Sequence, residues 1–151
     1  MAILSFLCNL EGLMSKSEDE LIEAAGAVIT ARFKPDWHVV GSALRLRNGE
    51  IVTGVHLEAN VGRIAVCAEA IAFGRAVTEH GSSDVAAIVA IYHSSDGRLG
   101  IVAPCGMCRE MISDYAPQAR VLMPDNKQTY RSVPISELLP GKYRRSVEER
   151  P

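Results

Sequence analysis

Three cysteines in two distant segments restrict the fold of this chain more than any other feature of its sequence. Cys67 stands two residues before Glu69, and Cys105 and Cys108 belong to the run Pro-Cys-Gly-Met-Cys at 104–108. One metal ion can take all three thiolates only if the fold brings the two segments together. Three protein ligands leave the fourth tetrahedral position of zinc open, which is typical of a catalytic site rather than a structural one. The pattern therefore predicts a catalytic zinc site.

Both cysteine segments are expected at the beginning of a helix. An alanine-rich stretch predicts a helix from about Ala65 to His80, and Pro104 suits the entry to another helix that ends near Tyr115. The partial positive charge at a helix N-terminus favours thiolate over thiol. Three thiolates on Zn²⁺ leave a net charge of about −1, and two helix ends directed at the ion would offset it.

The rest of the sequence predicts helices and strands in the order αββαβαββ(α). A capping box at 17–20 opens a helix that should end near Phe33, and Asn48-Gly49 is a strong signal for a hairpin. The expected strands span residues 38–46, 50–57, 85–92, 119–123 and 129–133, and a short helix at 135–139 closes the chain. Elements in this order form a sheet with helices against its faces, so the predicted fold is a three-layer α/β/α sandwich.

Length and composition fit one domain. The 151 residues are 48% hydrophobic and 23% charged, so the chain can bury a real core. We assign residues 17–151 to a single domain and residues 1–16 to an N-terminal extension of unknown role. The extension either docks on a neighbour or precedes the functional start at Met14. Its apolar run is too short to span a bilayer, and it lacks the basic region and cleavage site of a signal peptide.

Four cysteines do not form a disulfide framework in a globular chain of this size. Three of them belong to the metal pattern, and Cys8 is left over. We therefore expect a cytoplasmic, reducing location, where free thiolates persist.

The charge of the chain indicates the class of its partner. The net charge is −2, and the aromatic residues are one Trp, four Tyr and three Phe. A nucleic-acid surface needs a basic stripe, and single-stranded bases need aromatic platforms. We therefore expect a small-molecule substrate, with no nucleic-acid or membrane partner.

Glu69 is the candidate proton carrier of the predicted zinc site. A carboxylate beside the metal can take a proton from the attacking water and pass it on to the leaving group. The simpler alternative is an exposed acid in the first turn of a helix. Two alternatives also stay open for the cysteines. Cys105 and Cys108 could form a redox dithiol, or His56 or His93 could complete a closed structural zinc site.

Longer strings around these residues resemble the cytidine deaminase superfamily, and in particular its bacterial blasticidin S deaminase branch. The similarity extends over roughly residues 17–143. It is densest in residues 53–59 (Thr-Gly-Val-His-Leu-Glu-Ala), in 62–72 around the first cysteine, and in 104–117 around the other two. Strings of this length are much more specific than the metal pattern alone.

The resemblance implies a fold, a cofactor and a reaction. It implies a five-stranded mixed sheet and a homotetramer whose subunits share active sites. It assigns one zinc ion per subunit to Cys67, Cys105 and Cys108, and the role of proton shuttle to Glu69. The implied reaction is hydrolytic deamination at C4 of a cytosine nucleoside, which releases ammonia and leaves a uracil-type product.

Several positions depart from ordinary cytidine deaminases, and they concern the substrate. The Asn-x-Glu triplet that holds the ribose hydroxyls is His56-Leu57-Glu58 here, and His38 replaces a phenylalanine. Ala70 stands where those enzymes carry an arginine that partly cancels the thiolate charge. These differences match the blasticidin-type enzymes. His56 and Glu58 are therefore the candidate substrate-binding residues, and blasticidin S, cytidine and deoxycytidine are the candidate substrates.

Three further questions stay open at the level of sequence. Arg63 or Arg109 could supply the charge of the missing arginine. Tyr143 either stacks on the ligand or packs at an interface. The alternative for His56 is a strand-end histidine satisfied by backbone or solvent.

Overall fold

Within the described residues, six strands form one mixed β-sheet in the middle of the protein. The computed structural model describes the backbone of residues 2–125 and 129–144 and, within those ranges, the side chains from Ser17 onward. The helices are α1 (Ala2–Arg32), α2 (Ala68–His80), α3 (Gly106–Tyr115) and α4 (Ile135–Leu138). The strands are β1 (Val40–Leu46), β2 (Ile51–Val55), β3 (Val85–His93), β4 (Leu99–Val102), β5 (Arg120–Pro124) and β6 (Tyr130–Pro134), and a 3₁₀ turn, Gly62–Ile64, precedes α2.

The strands lie in the order β2-β1-β3-β5-β6, with β4 paired to β3. β3 and β5 run parallel, with Ala87 beside Arg120 and Ile88 beside Val121. The other neighbouring strands in the sheet are antiparallel. β4 pairs with residues 90–93 of β3, beyond the two residues that pair with β5. The parallel crossover from β3 to β5 therefore contains β4, α3 and the second cysteine segment.

Helices cover both faces of the sheet in the described part of the chain. α1 packs on one face, and its buried cluster comprises Leu21, Ala25, Ile29, Ala43, Val89, Ile91 and Leu122. α2, α3 and α4 pack on the other face around a larger cluster that includes Leu44, Phe73, Ile88, Ile112, Val121 and Ile135. Consecutive strand residues belong to opposite clusters because side chains alternate across a strand. The predicted α/β/α sandwich is therefore confirmed.

Gly54 of β2 allows the beginning of α2 to touch the sheet. A Cβ atom on Gly54 would overlap the carbonyl oxygen of Ala68 and lie 2.5 Å from the backbone nitrogen of Ala72. Only a residue without a side chain leaves this space to the helix. The close approach holds the first turn of α2, and with it Cys67, against the strand.

The hairpin predicted at Asn48-Gly49 is present. Gly49 has a φ of 96°, and its N–H donates to the carbonyl of Leu46 at 2.9 Å. This left-handed backbone conformation is the one that glycine adopts without strain. The strands on either side of the turn pair in continuous register, with Gly41 opposite Val55.

Two elements differ from the sequence-based expectation. The predicted start of the first helix at residue 17 is wrong, because α1 runs unbroken from Ala2. Residues 2–16 contain no proline that would interrupt a helix, and α1 extends through them. The capping box at 17–20 therefore lies inside α1 instead of at its start. β4 is a sixth strand beyond the five implied by resemblance. It has four residues, one of them Gly100, and it lacks the alternating pattern that marks a longer strand.

Cys8 lies outside the residues whose side chains are described. Among the described helices, none combines the length and apolar character needed to cross a bilayer.

Candidate metal centre and active site

The fold brings the three predicted cysteine ligands to one point. The Sγ atoms of Cys67, Cys105 and Cys108 all lie within 4.8 Å of one another, and Cys67 Sγ lies 3.7 Å from Cys105 Sγ. A tetrahedral ion with Zn–S bonds near 2.3 Å separates its sulfur ligands by about 3.8 Å. The spacing of the thiols therefore fits a shared zinc ion.

Two helix N-termini position these thiols. Cys67 is the N-cap residue of α2, and its carbonyl accepts hydrogen bonds from the N–H groups of Ala70 and Ile71. Cys105 is the N-cap residue of α3, and its carbonyl accepts from the N–H of Arg109 at 3.0 Å. Neither cysteine side chain caps its own helix, so both Sγ atoms are free to face the centre. The positive ends of two helix dipoles stabilise negative charge on the sulfurs.

The electrostatics of the thiols favour a bound cation. Burial raises the pKa of Cys108 strongly, and the nearby Glu69 carboxylate raises it further. Burial also raises the pKa of Cys67, together with its contact to Cys105. The pKa of Cys105 is lowered, because hydrogen bonds from the backbone of Cys108 and Met107 and from the neighbouring thiols outweigh the effect of its burial. A bound metal ion would stabilise the negative charge of three neighbouring thiolates, which the protein alone does not fully stabilise.

Glu69 is buried beside this cluster. Glu69 is 5% exposed, and it is the only buried carboxylate among the residues whose side chains are described. Burial raises its pKa, while a hydrogen bond with Cys108 and the nearby His56 act in the opposite direction. An exposed acid in a first helical turn would show none of these features. The burial of Glu69 therefore counts against that simpler alternative.

The two predicted substrate-binding residues lie together at the end of β2. His56 Nε2 lies 3.7 Å from Glu58 Oε2, and His38 Nδ1 lies within hydrogen-bond distance, 2.9 Å, of the carbonyl of His56. The Nδ1 atom of His56 is buried without a hydrogen-bond partner. A buried polar atom of this kind favours a ligand that completes its hydrogen bond. This observation counts against the alternative of a histidine already satisfied by backbone or solvent.

Neither histidine proposed as a fourth metal ligand joins the thiol cluster. In the described part of the chain, the group of potential ligands at this point contains the three cysteines alone. His93 instead stacks on Phe33, with ring centroids 3.9 Å apart, and its Nδ1 lies 2.8 Å from the carbonyl of Ser94. Three protein ligands would leave the fourth tetrahedral position of a zinc ion open, which is typical of a catalytic site.

The turn before β1, residues 34–37, lies beside the candidate substrate-binding segment, a contact that the sequence did not predict although it pointed to the neighbouring His38. The carbonyl of Trp37 accepts a hydrogen bond from the N–H of Glu58 at 3.2 Å, so this turn lies against the candidate substrate-binding segment. Asp36 has a φ of 64°, and the ammonium group of Lys34 lies 5.2 Å from the centre of the Trp37 ring. Pro35 marked the end of a helix in the sequence, but nothing there indicated that the turn would reach Glu58.

The three residues whose roles the sequence left open, Arg63, Arg109 and Tyr143, lie in different parts of the structure. Arg63 lies exposed in the 3₁₀ turn before α2. Arg109 is half-buried, and its guanidinium donates to the carbonyls of Pro104 and Leu138. Tyr143 is 76% exposed near the end of the described chain. Of these three residues, Arg109 is the one joined by hydrogen bonds to the cysteine segment.

Comparison with known proteins gives a consistent result. Residues 15–123 match the family model for the cytidine and deoxycytidylate deaminase zinc-binding region. The blasticidin-S deaminase of Bacillus cereus is 45% identical over 137 residues, which cover 88% of this chain and 96% of that protein. The cytidine deaminase of Halalkalibacterium halodurans is 30% identical over 105 residues, 69% of this chain and 76% of that protein.

Solved structures show the same architecture. The cytidine deaminase of Burkholderia pseudomallei has a TM-score of 0.66 at 27% identity, covering 83% of this chain and 98% of that one. The cytidine deaminase of Bacillus anthracis has a TM-score of 0.71 at 22% identity, covering 83% and 89%. Because the protein of Bacillus anthracis is only 22% identical, its likeness to this chain concerns the fold alone.

Proposed function

Because the chain belongs to the cytidine and deoxycytidylate deaminase family, we propose that it hydrolyses the 4-amino group of a cytosine nucleoside. The reaction releases ammonia and leaves a uracil-type product. The observation that carries this proposal is the cluster of three thiols with a buried carboxylate beside it. We assign residues 17–151 to the deaminase domain.

Zinc is the cofactor that this site fits. Cys67, Cys105 and Cys108 would hold one ion per subunit, since their spacing suits a tetrahedral sulfur environment. When bound, zinc lowers the pKa of a water molecule and so supplies the nucleophile that attacks C4.

Glu69 moves the protons of the reaction. As a carboxylate it accepts a proton from the attacking water, and as an acid it delivers that proton to N3 of the ring. It then accepts the remaining proton from the oxygen newly bonded to C4 and delivers it to the amino group, so that the C4–N bond breaks, ammonia leaves and a C4 carbonyl forms. Burial raises the pKa of Glu69, which brings its protonated and ionised forms closer in free energy near neutral pH. The same burial keeps bulk water from competing for the proton.

His56 and Glu58 hold the sugar side of the substrate. The unpartnered Nδ1 of His56 and the half-exposed carboxylate of Glu58 offer two polar groups at the end of β2. Glu58 can accept from a hydroxyl or meet a cationic group. Blasticidin S is a cytosine nucleoside with a carboxylated sugar and a guanidine-bearing tail, so a pocket that differs from the usual Asn-x-Glu suits it. The 45% identity to a blasticidin-S deaminase supports blasticidin S as the first candidate, ahead of cytidine and deoxycytidine.

We further propose a homotetramer with shared active sites in a cytoplasmic, reducing location. Several apolar side chains close to the site in sequence are exposed in the single subunit: Leu57 44%, Val61 61%, Ile64 66% and Met107 58%. A neighbouring subunit would cover them. The thiols of Cys67, Cys105 and Cys108 are free rather than paired in disulfides, as a reducing compartment requires. Light scattering on the purified protein tests the assembly: a monomeric mass in active material would contradict it.

An ultraviolet deamination assay tests the substrate. Purified zinc-loaded protein is given blasticidin S, cytidine, deoxycytidine and free cytosine in parallel, and ammonia release is measured alongside absorbance. Turnover of blasticidin S with the highest kcat/KM is expected. No turnover of any of the four compounds by zinc-replete protein would overturn the proposal. Turnover of cytidine alone would leave the reaction in place and correct the substrate.

A further inference from the structure

Arg109 joins two parts of the protein that are distant in sequence. Its Nε donates to the carbonyl of Pro104 at 3.0 Å, and its Nη1 donates to the carbonyl of Leu138 at 3.1 Å. Pro104 is buried and directly precedes Cys105. Leu138 is the last residue of α4. One planar side chain therefore bridges the metal-binding loop, residues 104–108, and the C-terminal segment, residues 138–142.

A second cation holds the same C-terminal segment on α3. Lys142 Nζ lies 2.7 Å from Asp114 Oδ1, and the Lys142 side chain is only 17% exposed. Asp114 belongs to α3, the helix whose N-cap residue is Cys105. The C-terminal segment is thus attached at both of its ends to the helix whose N-cap and first turn carry two of the three thiols.

We propose that Arg109 is a positioning residue that couples the metal-binding loop to the C-terminal segment, so that zinc retention depends on the bridge between them. This inference rests on the proposed function in one respect, namely that residues 104–108 hold zinc. Groups that hydrogen-bond around a metal site orient its ligands, and their loss commonly weakens metal binding by about 10- to 100-fold. Here the oriented group is the peptide that leads into Cys105.

The geometry distinguishes bridging from a contribution of charge alone. Both Nε and Nη1 of Arg109 are used by backbone carbonyls, one of them at the C-terminus of a helix, where a cation is favoured. Lysine carries the same charge but presents one compact ammonium, which cannot reproduce the fixed fork of arginine. If charge alone mattered, Arg109→Lys would behave like the wild type. Because the two carbonyls are bridged, we expect it to fail.

The test compares Arg109→Lys with a matched control, Arg120→Lys. Arg120 is also half-buried and uses Nε and Nη2 on Ser132, but it joins β5 to β6 rather than the metal-binding loop. Zinc loss from the holoprotein to excess 4-(2-pyridylazo)resorcinol is followed by absorbance, with the melting temperature measured in parallel. We expect Arg109→Lys to lose zinc about tenfold faster than the wild type, and Arg120→Lys to stay within about twofold of it. Wild-type zinc retention in Arg109→Lys, or equal acceleration in both variants, would overturn the proposal.

A measurement on the wild type decides the matter if Arg109→Lys does not fold. Hydrogen exchange of residues 138–144 is compared with that of residues 18–32 in α1, before and after zinc removal. Zinc removal is expected to accelerate exchange selectively in the C-terminal segment, and equal protection with and without zinc would contradict the coupling.

The outcomes of these experiments also distinguish the proposed function from the proposed role of Arg109. Zinc-replete wild type that deaminates no cytosine nucleoside contradicts the proposed function alone, whereas an active wild type with an indifferent Arg109→Lys contradicts only the bridge.

Discussion

Cys67 Sγ and Cys105 Sγ lie 3.7 Å apart, although each belongs to the start of a different helix. The distance is close to the separation of about 3.8 Å that sulfur ligands have around a tetrahedral zinc ion. In a simple redox dithiol, the neighbouring pair Cys105 and Cys108 would be the functional unit. Here the third thiol from α2 completes the group, so the arrangement favours metal binding over dithiol chemistry.

Replacing Glu69 with glutamine should separate metal binding from catalysis. Gln is nearly isosteric but cannot carry the proton, so turnover should fall by about 10²- to 10⁴-fold while the zinc content stays near one per subunit. Glu137→Gln is a suitable control because Glu137 is an exposed acid in the first turn of α4. Steady-state kinetics and metal analysis on the same preparations provide the measurement. A nearly normal rate in Glu69→Gln would show that another group moves the proton.

Removing one ligand should reduce both zinc binding and stability. Cys105→Ala leaves two thiols, so we expect substoichiometric zinc and a melting temperature several degrees below that of the holoprotein, since metal binding contributes to folding free energy. Cys8→Ala provides a comparison in the cysteine that the metal pattern does not use. Thermal denaturation and zinc analysis would follow both variants. Full activity in zinc-free Cys105→Ala would disprove the assignment of this ligand.

Zinc affinity should increase with pH. Burial raises the thiol pKa values of Cys108 and Cys67, so without metal these two groups are protonated at neutral pH. Zinc binds thiolates, and its binding therefore releases protons. Raising the pH lowers the cost of that release, so affinity measured by chelator competition should rise from about pH 6 to about pH 8. A flat profile would mean that the thiols are already ionised without metal.

Alkaline pH should weaken the contact between β6 and α1. Burial, together with the hydrogen bond that its hydroxyl donates to Asp19 at 3.1 Å, raises the pKa of Tyr130 to about 12. The unfolded chain has a tyrosine pKa near 10, so the folded state keeps a proton that the unfolded state gives up between about pH 10 and about pH 12. The stabilisation is therefore complete below about pH 10 and is lost as the pH rises through this range. Denaturant melts should show this decline in the wild type and a shallower one in Tyr130→Phe.

The sequence was sufficient to predict the features that depend on local patterns. Asn48-Gly49 predicted the first hairpin because a left-handed turn needs such residues, and the apolar run from Val85 predicted the central strand. The three cysteines predicted that residue 67 and residues 104–108 lie together in the fold, since three ligands of one ion must be close to one another. The family resemblance added the choice of Glu69 as proton carrier, which spacing alone left open.

Features that depend on tertiary contacts were not predictable in the same way. β4 is short, and it is held by pairing with β3 rather than by its own pattern. The hydrogen bond between Trp37 and Glu58 links two loops across the end of the sheet, and neither loop carries a signal of it. The predicted start of α1 at residue 17 is wrong because a capping box marks a favourable helix start but does not prevent an earlier one.

The location of α1 has a consequence for how this protein could change over time or by engineering. Its buried residues Leu21, Ala25 and Ile29 lie on the side of the sheet opposite to the cysteines. Repacking beneath α1 can therefore raise or lower thermal tolerance while the reactive groups keep their positions. The protein separates, by the thickness of one sheet, the part that can vary in robustness from the part that must stay chemically constant.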